Sequence, residues 1–367
     1  MFILQQGGPQ KRLLPGWSHS ALLSIAAVTL AMWPSIGLAT ESPRPAPTPP
    51  PEEIDVAIDR GLAFLADRQQ PDGHYPGQHG NTTAVPALAG MAFLSKGHTP
   101  GLGPYGSSIN RSIDTVLAEE VVSGGRPSGY LTRNPGRGMY SHCIATLFLS
   151  EVSGMVDPER QKKIDEVLPR ALAVILRAQE VNKPSHFAGG WRYSPTSRDA
   201  DLSLTGWAVM ALRSARLNGA RVPKEAVDRA VSFIDRCEDV QRGGFAYQPG
   251  RPSNVAMSSL AMLCLSLSGR LDDDRFPKAA GLVLANRKNL GGHPEYARYY
   301  ASQAMFQLGD DSWQRWSQTM YEEALASQDK NSGGWNAPSP DGYATSMWIL
   351  ALAVTYQQLP VYQRDLP

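Results

Sequence analysis

Two aspartates separated by a single residue are the strongest candidates for catalytic groups in this sequence. Asp199 and Asp201 stand just before a long apolar segment that begins at Ser203. A carboxyl group that protonates a substrate must be held neutral, which burial and neighbouring carboxyls achieve by raising its pKa. The sequence offers two roles for Asp201. In the first, Asp201 is the acid and Asp199 is its neighbouring carboxyl. In the second, which the sequence favours, Asp201 caps the helix beginning near Ser203.

A histidine and a cysteine stand side by side before another apolar segment, as His142 and Cys143. Neighbouring helical residues point about 100° apart, so they rarely bind one metal ion. No Cys-x2-Cys spacing surrounds any of the three cysteines, and zinc sites require such short spacings. We therefore predict no metal ion and no cofactor. One disulfide between Cys237 and Cys264 stays open, although three buried free thiols are favoured.

Aromatic residues form a third candidate group, with Tyr299 and Tyr300 in the densest aromatic cluster, 296–300. Aromatic faces stabilise cations, stack on sugars and contact lipid tails. The alternative is that both tyrosines pack between helices with their hydroxyls paired. The predicted ligand-binding residues share positions near the starts of apolar segments: Tyr140, His142, Trp207, Asn254, Tyr299, Tyr300 and Tyr343.

A glycine followed closely by an aromatic residue recurs along the chain and indicates an internal repeat. The copies are Gly73 with Tyr75, Gly129 with Tyr130, Gly189-Gly190 with Trp191, Gly243-Gly244 with Phe245, Gly291-Gly292 with His293 (where the aromatic is replaced), and Gly333-Gly334 with Trp335. They are roughly forty to sixty residues apart, the range of helical-pair repeats. We expect the glycine to end a helix in a left-handed turn and the aromatic residue to pack on the next helix.

Each copy is flanked by two segments with helical periodicity. The preceding segment is amphipathic, as in 54–68 and 223–237, and the following one is apolar almost all round, as in 203–217 and 254–267. A helix without a polar face is buried on all sides. Six amphipathic outer helices around six buried inner helices predict an all-α fold, a closed six-fold α/α toroid in which each repeat packs on its neighbours.

The first repeat carries a resemblance to a known family. The string Arg60-Gly61-x-x-Phe64-Leu65-x-x-x-Gln69, followed by Gly73-x-Tyr75, resembles the QW motif of squalene-hopene cyclases, with Tyr for the final Trp. Looser versions recur at Gln179 with Trp191 and at Gln328 with Trp335. Segments 189–195, 204–207 and 359–362 are similar to prenyltransferase and squalene-cyclase repeat proteins of planctomycete bacteria. The resemblance implies a toroid that binds an isoprenoid or another apolar small molecule.

The catalytic motifs that this resemblance would supply are incomplete. Class II triterpene cyclases use D-x-D-D, whereas this chain has Asp199-Ala200-Asp201-Leu202. Protein prenyltransferases bind zinc through Asp, Cys and His, and this segment has no thiol. We therefore favour a binding protein over an enzyme. Two alternatives stay open: a terpene cyclase whose acid is Asp201, and an exported carbohydrate-active enzyme in which Asp201 faces Asp72 or Asp341.

The N-terminal segment has the layout of a secretory signal. Lys11 and Arg12 precede an uncharged apolar run, 21–33, and small residues follow at 37–39. We predict a signal peptide at 1–39, a Pro-rich linker at 40–53, the toroid at 54–360 and a tail at 361–367, with export to the periplasm or beyond. An uncleaved signal that anchors the chain to the membrane is the alternative. A formal net charge of +1 without basic runs argues against nucleic-acid binding.

Overall fold

A computed structural model of the chain describes residues 50–77, 79, 82–270, 272–336 and 338–363. The predicted signal peptide and most of the linker lie outside the described residues. Twelve α-helices are present in these ranges: α1 (Glu52–Arg68), α2 (Ala84–Ser95), α3 (Gly106–Ala118), α4 (Met139–Val152), α5 (Pro158–Glu180), α6 (Leu202–Leu217), α7 (Lys224–Arg236), α8 (Val255–Leu267), α9 (Phe276–Ala285), α10 (Pro294–Leu308), α11 (Asp310–Ser327) and α12 (Gly342–Leu352). None of them is long and apolar enough to cross a membrane.

The even-numbered helices form a closed inner ring. Helices α2, α4, α6, α8, α10 and α12 each pack on the next, and α12 packs on α2. Every residue of α8 except Ala256, and every residue of α12 except Tyr343, is buried, because helices with neighbours on all sides have no polar face. The odd-numbered helices sheathe this ring. The predicted all-α toroid of six helical pairs is confirmed.

Two short antiparallel β-hairpins lie in the loops between outer and inner helices. Strands β1 (Glu120–Ser123) and β2 (Arg126–Leu131) pair after α3, and β3 (Glu238–Asp239) pairs with β4 (Gly244–Phe245) after α7. From the sequence we expected only helices and turns in these loops. These hairpins matter because they fix the loops that lead into α4 and α8.

A glutamine at the end of an outer helix joins that helix to the next outer helix. The Nε2 group of Gln179 in α5 donates to the carbonyl oxygens of Gly189, in the following loop, and Ala226, in α7, at 2.8 and 2.9 Å. Gln69, which ends α1, donates to the carbonyl oxygen of Ser108 in α3 at 3.1 Å. The amide thus links neighbouring repeats through buried backbone carbonyls, which need such donors.

The same contact closes the ring. Gln328, which follows α11, donates to the carbonyl oxygens of Gly333 and Ala57, both at 2.8 Å. Ala57 lies in α1, 271 positions earlier in the chain. The last outer helix is therefore fastened to the first by the bonds that fasten α5 to α7.

The repeated glycine lies in the loop after the outer helix rather than at the helix end. Helix α5 ends at Glu180 on an extended residue, whereas Gly189 has a φ of +86°. A Cβ on Gly189 would come within 2.2 Å of the carbonyl oxygen of Arg229, in the next outer helix. The predicted left-handed turn is confirmed, but its assignment as the helix terminator was wrong. Glycine is needed because its loop touches the neighbouring helix backbone.

The aromatic residue of the repeat bonds to both helix layers. The Nε1 group of Trp191 donates to the carbonyl oxygen of Ile175 in α5 at 2.7 Å. Its backbone N–H donates to Oγ1 of Thr205 in α6 at 3.1 Å. Trp191 is thus fastened to the outer helix through its indole and to the following inner helix through its backbone. The predicted packing on the next helix is seen in the last copy, where the ring of Trp335 stacks on Trp348 of α12 at 5.8 Å.

The C-terminal segment, 353–363, packs against the C-terminal ends of the inner helices. Val361 is fully buried, and its carbonyl oxygen accepts from Nε of Arg213 in α6 at 3.0 Å. Arg213 also donates to the carbonyl oxygen of Gln363 at 2.6 Å. On the other side, Gln307 of α10 donates to the carbonyl oxygen of Tyr362 at 2.7 Å. Residues 361–363, assigned to a tail from the sequence, therefore contribute to the packing of the ring.

We expect Gln328→Leu to lower the free energy of unfolding by about 2 kcal/mol, because two buried carbonyls lose their donor. Gln179→Leu should cost a similar amount, since its amide makes the equivalent bonds inside the ring. Urea unfolding followed by circular dichroism measures both. Exposed Gln241→Leu is the control, and a Gln328→Leu variant no less stable than this control would show that the closing contact is weak.

Candidate functional site

Four tyrosines gather at the N-terminal ends of the inner helices, and we call them the tyrosine cup. Tyr140 and Tyr296 lie in the first turns of α4 and α10, while Tyr193 and Tyr247 lie in the loops before α6 and α8. The rings of Tyr140 and Tyr193 are 5.8 Å apart, and the hydroxyls of Tyr193 and Tyr247 are hydrogen-bonded. The hydroxyl of Tyr140 bonds to Oγ of Ser203, whose carbonyl oxygen accepts from Tyr296 at 3.1 Å. All four side chains are partly exposed.

Arg192 lies at the centre of the tyrosine cup. Its Nη1 group donates to the hydroxyl of Tyr247 at 2.8 Å. Its guanidinium carbon lies 4.4 Å from the ring centroid of Tyr193 and 5.4 Å from that of Tyr247. Its Nε group forms an ion pair with Asp199 at 3.1 Å. A guanidinium that is stacked on aromatic rings and paired with a carboxylate is held in one orientation.

Asp201 caps α6 and holds Arg192 at the same time. Its Oδ1 atom accepts from the backbone N–H of Leu204 at 2.9 Å and from Oγ of Ser203 at 2.7 Å. Its Oδ2 atom accepts from Nη1 of Arg192 at 2.8 Å. The structure therefore shows the capping role that the sequence favoured, and it adds an ion pair that the sequence did not reveal.

Burial and hydrogen bonding act in opposite directions on the pKa of Asp201. Burial raises the pKa of its carboxyl, while the donors from Leu204, Ser203 and Arg192 act in the opposite direction. The peptide N–H and the guanidinium can only donate, so both carboxyl oxygens are arranged as acceptors. This geometry suits a carboxylate that positions Arg192 better than an acid that delivers a proton to an alkene.

His142 lies behind the tyrosine cup with both ring nitrogens occupied. Its Nδ1 atom accepts from the backbone N–H of Leu131, and Nε2 donates to the carbonyl oxygen of Ala171, both at 3.1 Å. The side chain is fully buried, and burial lowers its pKa to about 3. His142 therefore joins β2, α4 and α5 as a neutral side chain and offers no free nitrogen to a ligand.

Trp207, Tyr299 and Tyr300 form an aromatic stack deeper in the ring, and all three are buried. Trp207 of α6 stacks on Tyr299 of α10 with ring centroids 5.8 Å apart and planes at 13°. Tyr300 contacts Trp207 and Tyr299 at 5.8 and 4.8 Å. The ring of Tyr296 lies edge-on to that of Tyr300 at 4.6 Å. The deep stack therefore begins directly beneath the tyrosine cup, and the hydroxyl of Tyr299 bonds to Tyr362 at its far end.

The other predicted residues cap helices or lie at the rim. Asn254 caps α8 through the N–H of Met257 at 3.0 Å, and Asp341 caps α12 through the N–H of Ala344 at 2.8 Å. The ring of Tyr343 lies 5.3 Å from that of His79. Asp72, the other candidate carboxylate, is exposed in the first loop, and His74 holds it through a backbone bond of 3.1 Å.

The three cysteines are buried and unpaired. Burial raises the pKa of the Cys237 and Cys264 thiols to about 12, so both are protonated and unreactive near neutral pH. Within the described ranges, no group of three or more histidine, cysteine or acidic side chains could hold a metal ion.

Sequence reasoning missed Arg192, Tyr193 and Tyr247, because loops carry no periodicity that marks a buried face. One signal was present. Tyrosine follows two positions after the repeat aromatic in two successive copies, Trp191-Arg192-Tyr193 and Phe245-Ala246-Tyr247. Since the repeat aromatic is anchored between helix layers, its neighbours two positions on are placed alike in both copies.

No protein-family model matches the chain, and no curated protein matches it by sequence. Solved structures do match. An inactive variant of the α-1,6-mannanase GH76A of Salegentibacter sp. HEL1_6, in complex with α-1,6-mannotriose, has a TM-score of 0.60 at 11% identity, covering 82% of this chain and 99% of its own. A D-mannose isomerase has a TM-score of 0.58 at 14% identity, covering 84% and 98%.

The type II terpene cyclase MstE from Scytonema, without ligand, has a TM-score of 0.52 at 13% identity, covering 84% of this chain and 99% of its own. These proteins act on different substrates, and the chain shares with them the α/α toroid fold. Fold likeness at such low identity does not choose a function.

We expect Asp201→Asn to cost less stability than Asp201→Ala, because asparagine is an equally good N-cap and already caps α8 at Asn254. The amide nitrogen that replaces Oδ2 would face Nη1 of Arg192, and since both groups donate, Asp201→Asn should still cost about 1 kcal/mol. Asp201→Ala should cost about 2 kcal/mol through the lost cap and the unpaired donors. Chemical denaturation compares the two, and equal losses in both variants would contradict the capping role.

We expect the protein to lose stability in acid because of His142. Its pKa lies near 3 in the folded protein and at 6.5 as the reference value, so below about pH 6.5 the unfolded chain takes up a proton that the folded one refuses. This group should remove about 1.4 kcal/mol per pH unit. Urea unfolding between pH 7 and 5 measures this slope. His142→Gln can make both hydrogen bonds without titrating, so its free energy of unfolding should depend less steeply on pH. Identical slopes for the wild type and this variant would show that another group causes the loss of stability.

Proposed function

We propose that this chain binds a neutral saccharide in the tyrosine cup. The observation that carries the proposal is the group of four partly exposed tyrosines, two of which, Tyr193 and Tyr247, pack against Arg192. Sugar rings stack on aromatic faces, and their hydroxyls both donate and accept hydrogen bonds. Phenol hydroxyls, a guanidinium and carboxylates supply complementary partners within one small area.

The polarity of the tyrosine cup supports a saccharide over an apolar ligand. Besides its aromatic faces it contains the guanidinium of Arg192 and the partly exposed carboxylate of Asp199. Desolvating these two groups against a hydrocarbon chain would be costly, because each would lose water without gaining a partner. The known toroids point the same way in part, since one of them is a mannanase with mannotriose bound.

An isoprenoid or other apolar small molecule is the second candidate. It is favoured by the deep stack of Trp207, Tyr299 and Tyr300 immediately below Tyr296, and by the resemblance of the repeats to squalene-hopene cyclases and to exported planctomycete proteins. Aromatic walls of this kind also suit a terpene cyclase. The predicted export, and association with a membrane, would be compatible with either ligand.

A catalytic role for Asp201 and Asp199 is a further part of the proposal. If the chain catalyses a reaction of its ligand, Asp201 would be the acid, because its pKa is raised and Asp199 is a neighbouring carboxylate. Its bonds to the α6 backbone and to Arg192 support positioning as its main role. Asp201→Asn keeps the cap of α6 while removing the acid and the ion pair with Arg192.

The test is isothermal titration calorimetry with three trisaccharides, α-1,6-mannotriose, cellotriose and chitotriose, and with geranylgeraniol as the isoprenoid. We expect one trisaccharide to bind and Tyr247→Ala to weaken it at least tenfold, since the variant loses both a stacking face and the partner of Arg192. Tyr321→Ala is the matched control, because Tyr321 is a partly exposed tyrosine on outer helix α11.

Equal binding by the two tyrosine variants would place the ligand elsewhere. Binding of geranylgeraniol without any trisaccharide would transfer the proposal to the second candidate.

A further inference from the structure

The indole N–H of Trp207 is buried without a hydrogen-bond partner. Among the described residues, four tryptophans belong to the largest fully buried side chains. The other three, Trp191, Trp316 and Trp335, donate from Nε1 to oxygen atoms at 2.7, 3.0 and 3.1 Å. An unpaired buried donor costs about 1–3 kcal/mol, and native proteins rarely retain one without a reason.

Tyr300 places a second unpaired polar atom beside Trp207. The two rings meet edge to face at 5.8 Å, and the buried hydroxyl of Tyr300 makes no hydrogen bond of good geometry. With the hydroxyl of Tyr296 it forms only a weak side-chain hydrogen bond. The adjacent Tyr299 differs, because its hydroxyl is bonded to Tyr362. The indole N–H of Trp207 is thus left without a partner, and the hydroxyl of Tyr300 beside it is only weakly paired.

Tyr296 lies between this pair and the open side of the tyrosine cup. It is partly exposed, its ring contacts Tyr300 at 4.6 Å, and its hydroxyl is held by a single bond to the backbone of Ser203. The groups that act on the Tyr300 hydroxyl are Tyr140, Tyr296 and Tyr299, all neutral phenols. The surroundings are therefore suited to an uncharged polar group.

We propose that Trp207 and Tyr300 form a buried subsite that receives an oxygen atom of the ligand. An indole N–H only donates, so the ligand atom must be an acceptor, as a sugar hydroxyl, ring oxygen or carbonyl oxygen is. The ligand enters past Tyr296, which turns aside, and its remaining part lies in the tyrosine cup. The inference rests on the proposed function and deepens it, because it names the protein atoms that bind the buried end of the saccharide.

Tyr300→Phe tests the subsite by removing one oxygen atom and nothing else. The probe is whichever of α-1,6-mannotriose, cellotriose and chitotriose binds the wild type most tightly. We expect its affinity to fall about fivefold, the loss of one neutral hydrogen bond. The melting temperature of the free protein should rise by about 2 °C, since an unpaired buried hydroxyl is removed. Opposite changes in binding and stability are not expected from a residue that only packs.

The matched control is Thr355→Val, which removes another buried, unpaired hydroxyl, in the C-terminal segment. It should raise the melting temperature and leave the affinity unchanged. Trp207→Phe is the second variant and should weaken binding at least as much as Tyr300→Phe, because it removes the donor.

An unchanged affinity in Tyr300→Phe would overturn the subsite while leaving the saccharide proposal intact. A lowered melting temperature would also overturn it, because the hydroxyl would then have a partner in the free protein. Failure of the wild type to bind any of the three trisaccharides would instead reject the proposed function.

Discussion

Closure of the ring is the constraint on which the rest of the structure depends. An inner helix such as α8 or α12 has no polar face, so it is stable only when inner helices flank it and an outer helix covers it. In an open array the first and last inner helices would expose apolar sides. The packing of α12 on α2 supplies the missing neighbours, and the bond from Gln328 to Ala57 fastens the outer helices α11 and α1 around them. The buried apolar residues thereby form one continuous core around the ring.

The tyrosine cup shows how a repeated scaffold acquires a specific site. Asp201, Asn254 and Asp341 occupy the same capping position in three repeats. Among these three caps, only Asp201 is shown with an arginine on its second oxygen. That pairing requires Arg192 in the preceding loop, next to the repeat aromatic. The capping residue of this repeat thus also holds an arginine, without altering the helix start.

The fold was predictable from the sequence to a much greater degree than the site. Helical periodicity and the recurring glycine-aromatic element identify both helix layers, because burial on one side or on all sides leaves a direct pattern in residue type. Whether Trp207 and His142 line a cavity or fill the core depends on which helices pack together. The apolar stretches of the sequence do not distinguish these two outcomes. Arg192 and Tyr247 lie in loops, where side-chain direction follows from tertiary contacts rather than from a period.

The length of the inner helices bears on the predicted export of the chain across a membrane. The six of them contain between 11 and 16 residues, which is about 16 to 24 Å at 1.5 Å per residue. A bilayer core is about 30 Å thick and retains apolar segments of about 20 residues. The inner helices are therefore shorter than the apolar segments that a translocation channel would release into the bilayer. The predicted export of the chain would be compatible with a toroid of this height.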